Sequence, residues 1–95
     1  TRQVTDVKEM LRMAMQLEQS TIDSYNEASR IASENKDAVT HKMFQDIIVE
    51  EEGHLDTFRT ELQNVIDYGE EYLALQSAAG SKHTSKSFNH SGGGE

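Results

Sequence analysis

Two long stretches of this chain repeat their apolar residues every three or four positions. The first is Val4, Val7, Leu11, Ala14, Glu18, Thr21, Tyr25, Ala28, Ala32, with Met10, Leu17, Ile22 and Ile31 widening the stripe. Steps of three and four are the period of an α-helix. Their mean of about 3.5 residues suits left-handed, bundle-like packing. Neither Gly nor Pro interrupts the chain between Thr5 and Glu34, so one helix of roughly 45 Å is predicted there. Thr5 or Asp6 is the expected cap, with Glu9 following in the first turn.

Asn35-Lys36-Asp37 breaks the pattern. Asn tolerates a left-handed C-terminal conformation and Asp37 suits the next N-cap. A loop this short predicts an antiparallel hairpin. The second stripe is Phe44, Ile47, Glu51, His54, Phe58, Glu61, Val65, bordered by Met43, Ile48, Leu55 and Leu62. It predicts a helix over Ala38 to Tyr68, ended by Gly69. A short third helix is expected over about Glu70 to Ala78. The expectation is therefore an all-α domain over residues 1–79, a long antiparallel hairpin plus a short C-terminal helix. The Ser-, Gly- and His-rich remainder, Gly80 to Glu95, reads as a disordered tail or as a docking segment that orders on a partner.

Composition sharpens this picture. In 95 residues only 35% are apolar and 27% are charged. A lone hairpin of this size buries little core, so association into a four-helix bundle is expected. The net charge of −8 argues against nucleic acid, which needs cations to neutralise phosphates. It is compatible with attracting metal cations, although solvated helix faces also account for it. The absence of cysteine removes disulfides, thiolate zinc sites and iron–sulfur clusters. No apolar run approaches the ~20 residues of a membrane span. The start, Thr1-Arg2-Gln3-Val4, lacks the apolar core of a secretory signal, and a cytoplasmic location is the expectation.

Three ionisable residues stand in the apolar register. Glu51 and His54 are one turn apart on one face of the second helix, and Glu18 holds the matching place on the first. Folded about Lys36, Glu18 lies 18 residues before the bend, His54 18 after it and Glu51 15 after it, so all three fall at one height. Ionisable groups in a core register are costly unless paired or bound to metal. A hydrogen-bonded or ion-paired cluster within the hairpin would satisfy them without metal. As ligands, carboxylates with imidazole and no sulfur suit iron, manganese or zinc. A di-iron or di-manganese bundle takes one Glu from each of two helices and a Glu-x-x-His pair from each of the other two. This hairpin carries one of each. Two copies would carry two ions, whose charge offsets four carboxylates that otherwise repel.

Tyr25, two turns beyond Glu18, is expected either in the core with its hydroxyl on a carboxylate or as a donor or redox-active side chain near the metals. Glu50 and Glu52 read as solvated acids and Glu61 as an exposed edge residue. Met10, Met13, Met15 and Met43 read as core filler. His41 is expected at the surface. His83 and His90 belong to the tail.

At these residues the chain resembles the ferritin-like superfamily, in particular half of a bacterioferritin chain. Glu18 and Tyr25 match the first-helix pattern. Glu50-Glu51-Glu52-Gly53-His54-Leu55-Asp56 resembles the acidic Glu-x-x-His stretch. Ile66 through Gly69 to Tyr72-Leu73-Ala74-Leu75-Gln76 resembles the entry into the short last helix. A full member carries four long helices, this chain two; it is similar to the half-ferritins called encapsulated ferritins. That resemblance implies a ferroxidase centre between two chains, open ring-shaped homo-oligomers, and iron oxidation for storage inside an encapsulin shell. The short Gly- and Leu-containing docking peptide of that design is not evident in the tail. No haem is expected, because no Met stands near the motif. The expected activity is oxidation of Fe(II) to Fe(III) with O2 or H2O2, at two irons per dimer interface held by Glu18, Glu51 and His54 and tuned by Tyr25. The alternatives are a fixed di-iron or di-manganese peroxidase or oxidase, and a metal-free helical assembly module.

Overall fold

The computed structural model describes residues 1–79 of the chain. The expected tail, Gly80 to Glu95, lies outside the described residues. Two long helices, α1 (Arg2–Glu34) and α2 (Ala38–Tyr68), pack side by side as an antiparallel hairpin. A short α3 occupies residues 70–79.

The first helix begins earlier than the capping pattern suggested. Thr1 is the N-cap, its hydroxyl accepting from the Val4 N–H at 3.3 Å. Thr5 lies inside the helix and donates its own hydroxyl to the Thr1 carbonyl. The Val4–Val7 stripe continues upstream of Thr5 with nothing to break it, so the helix extends to the first available hydroxyl.

The turn closes as a Schellman motif. The Asp37 N–H reaches the Ala32 carbonyl at 2.9 Å and the Lys36 N–H reaches Ser33 at 3.0 Å. Lys36, rather than Asn35, takes the left-handed conformation, at φ 58°. Asn35 stays at φ −85° and donates its side-chain amide back to the Ile31 carbonyl. Asp37 then caps α2 by accepting from the Thr40 N–H. At the far end Gly69 ends α2 at φ 59° and ψ −128°, a backbone region essentially confined to glycine.

The core within the hairpin is thin. Ile22, Ala32, Leu55 and Val65 are the buried apolar side chains, joined by Ser29. The two predicted stripes line the seam between the helices: every stripe residue of α1 is at least half-buried, and so is every one of α2 except His54. Large apolar side chains remain outside the seam. Met10 and Met13 are each 67% exposed and Leu17 70%, with Val39, Met43 and Ile31 exposed nearer the turn. A two-helix hairpin has one internal seam, so any stripe wider than that seam is left in water. Four such residues, Met10, Leu17, Ile31 and Met43, border the predicted stripes.

The third helix docks through Tyr72. Its hydroxyl donates to Glu61 and accepts from the side-chain amides of Asn64 at 3.3 Å and Gln76 at 2.7 Å. Glu61 is therefore half-buried and bonded, not the exposed edge residue expected. The aromatic that follows Gly69 supplies the donor that makes its partial burial tolerable.

Candidate metal centre

The helical register delivers three side chains to one point near mid-hairpin. Glu18 is the central residue of α1, and Glu51 and His54 straddle the middle of α2. One ligand atom from each of the three lies within 4.8 Å of the others. His54 Nδ1 is 3.5 Å from Glu51 Oε1 and 3.9 Å from Glu18 Oε2. Among the described residues no other group of His, Asp and Glu side chains converges in this way.

Burial within the trio is uneven. Both carboxylates are 21% exposed, whereas the His54 side chain is 61% exposed. The expectation that His54 points into the core does not hold for a single hairpin. Its position on α2 faces the flank shared with the exposed Met43, where none of the described residues covers it. The cluster is lined on the hairpin side and open on the other.

The electrostatics favour a cation. Glu18 Oε1 is buried without a hydrogen-bond partner. The Glu18 carboxyl is pushed above its ordinary range, first because it shares a hydrogen bond with Glu51. Desolvation and the Glu51 charge push the same way, and His54 opposes them. A raised carboxyl beside a second acid, with one oxygen left unsatisfied, is a donor set lacking a positive partner. Oxygen and imidazole donors without sulfur fit a divalent iron, manganese or zinc ion, so the residues present fit the metal their pattern implies.

Tyr25 is not part of this trio. Its ring lies against Phe44, with centroids 5.8 Å apart and planes tilted by 37°. It stands two turns from Glu18 on the same stripe, half-buried. Glu50 and Glu52 are exposed. The contact that reading by position missed is Glu61 with Tyr72; the signal was Tyr72 on the far side of a chain-reversing Gly69.

The fold and the cluster together define a ferritin-type helical hairpin. A ferritin-like domain model matches residues 1–66, and the chain belongs to that family. It is 32% identical over 74 residues to the bacterioferritin of Brucella melitensis biotype 1, an alignment covering 78% of this chain and 46% of the relative. The chain thus spans about half the length of the curated relative it matches. No solved structure matches it. Among the described residues no helix is long and apolar enough to cross a membrane.

Proposed function

We propose that this chain oxidises Fe(II) to Fe(III) at a di-iron centre completed by a second copy of itself. The observation that carries this reading is the unpartnered, buried Glu18 oxygen beside Glu51 and a His54 left open to one side. Doubling the trio supplies four carboxylates and two imidazoles, the donor set of a di-iron bundle. Four ionised carboxylates offset the charge of two Fe(II) ions. After oxidation the harder Fe(III) is held more strongly by oxygen donors, which favours electron loss.

Glu18, Glu51 and His54 of each chain would together hold the two ions, Glu18 and His54 as terminal donors and Glu51 as the shared one. Each of two Fe(II) substrates gives up one electron, and the two electrons with two protons from solvent reduce O2 to H2O2, or H2O2 to two waters. The exposed Met10, Leu17 and Met43 form the apolar border that a second hairpin covers, excluding water around the centre. Tyr25 acts beside the centre as a donor that tunes or protects it. The bacterioferritin relative supports iron as the metal, and iron storage or detoxification is the role that follows from this reading.

The test is an anaerobic Fe(II) titration followed by exposure to O2 or H2O2. About one Fe(II) per chain should bind, and further Fe(II) should then be oxidised in repeated rounds. Glu51→Ala should abolish the fast phase. Peroxide turnover with no consumption of iron beyond the first two ions per dimer would favour the fixed-metal oxidase instead. Fast kinetics unchanged in Glu51→Ala would remove the proposal altogether.

A further inference from the structure

A second feature lies on the other flank of the hairpin. Arg12, Gln16 and Gln19 descend α1 at spacings of four and three, facing Leu55, Arg59 and Leu62 of α2. Together with Met15 they line an open groove of about 320 Å³. Met10 and Leu17 lie about 160° round the helix from Arg12 and Gln19 at 3.6 residues per turn. A second copy closing over the metal trio therefore leaves this groove in water.

The groove is cationic on a chain whose balance is strongly acidic, 9 Lys and Arg against 17 Asp and Glu. Arg12 and Arg59 line the same groove from opposite helices. Neither is held by two carboxylates as Arg30 is by Glu27 and Glu34; Arg59 is ion-paired with one, Asp56. Arg12 pairs with no carboxylate among the described residues, although Glu9 stands only three positions before it. Arg59 gives one Nη1 bond to Asp56 at 2.7 Å, leaving the rest of its five N–H donors. Gln19 donates to Asp23 at 3.0 Å, and Gln16 adds a further carboxamide to the wall. Met15, Leu55 and Leu62 supply an apolar strip between the polar walls.

We infer that this outer groove binds a phosphate-class oxyanion between Arg12 and Arg59. Arginine presents a planar fork that matches phosphate oxygens two at a time, which a lysine cannot do. An anion there would meet guanidinium donors from both helices. Met15, Leu55 and Leu62 line the groove beside the arginines, so a phosphate monoester carrying an apolar group finds contacts there that free phosphate lacks. This inference does not depend on iron chemistry.

The experiment follows the arginine Nε–H resonances of the full chain by NMR during titration with inorganic phosphate, and separately with phenyl phosphate, in chloride buffer at constant ionic strength. Saturable shifts at Arg12 and Arg59 are expected, with phenyl phosphate binding the tighter. Loss of one charge-assisted bond corresponds to about a tenfold weaker Kd, and Arg12→Gln and Arg59→Gln should each show it, while Fe(II) uptake stays unchanged. Arg12→Lys should fall between wild type and Arg12→Gln, because it keeps the charge and loses the fork. Equal affinity for the two probes would assign the site to free phosphate within the same class. Shifts that never saturate, or binding that persists in both glutamine variants, would overturn the inference.

Discussion

Leu17→Gln should weaken association of this chain while leaving the hairpin folded. Leu17 is 70% exposed on one hairpin, so it contributes little to the internal seam. Leucine and glutamine have similar helix propensities, and glutamine places no new charge beside Glu18. Burying a whole leucine contributes about 1.5–3 kcal/mol, so covering the exposed 70% contributes about 1–2 kcal/mol per copy. A symmetric interface counts it twice, which makes about 2–4 kcal/mol and weakens the dimer by about 30- to 1,000-fold. Sedimentation velocity over a dilution series, without metal, reads the dimer constant, and far-ultraviolet circular dichroism reads the helix. Ile22→Ala is the contrasting control. Ile22 is 2% exposed, so its truncation should cost about 2–5 kcal/mol of hairpin stability. An unchanged dimer constant in Leu17→Gln would show that this flank does not meet a second copy.

Metal-free stability should respond to pH through Glu18. Its carboxyl is raised in the fold, so its contribution is complete below the ordinary glutamate range and is lost as pH rises through the raised value. Glu27 and Asp37 are lowered by Arg30 and Thr40, so their contributions vanish in the opposite direction, as pH falls through the lowered values. In urea titrations Glu18→Gln should remove the loss that accompanies rising pH and leave the other two; an unaltered pH profile would contradict the raised Glu18 carboxyl. Metal affinity should fall as pH drops through the same raised value, because the ion displaces that proton. Gly53 lies inside α2 with nothing within 4 Å of an added Cβ, so Gly53→Ala should stabilise the single chain by about 0.5–1 kcal/mol. Thermal melts check this, and a destabilisation would mean that something packs against Gly53.

Much of this arrangement could be read from spacing. Steps of three and four located both long helices, and Gly69 located the end of α2, because periodic burial and a chain reversal each leave a local mark. The equal distances of Glu18 and His54 from Lys36 placed the trio at one height, since an antiparallel hairpin converts sequence distance directly into axial distance. Features decided by competition between neighbours were not legible. Thr1 displaced Thr5 as the cap because the helix could continue. Lys36 took the left-handed position because the Schellman geometry places it one residue beyond Asn35. Glu61 looked like an edge acid until Tyr72 returned across it. His54 looked buried because its register is that of a core residue, and among the described residues nothing covers that flank.

The central claim is that one polypeptide holds half a dinuclear centre. The most direct measurement is sedimentation equilibrium during anaerobic Fe(II) titration, starting from concentrations at which the metal-free chain is monomeric. The account predicts that mass doubles in step with metal uptake, reaching two ions per dimer, and that His54→Ala loses both responses together. Tight uptake of one ion by a chain that stays monomeric throughout would contradict it.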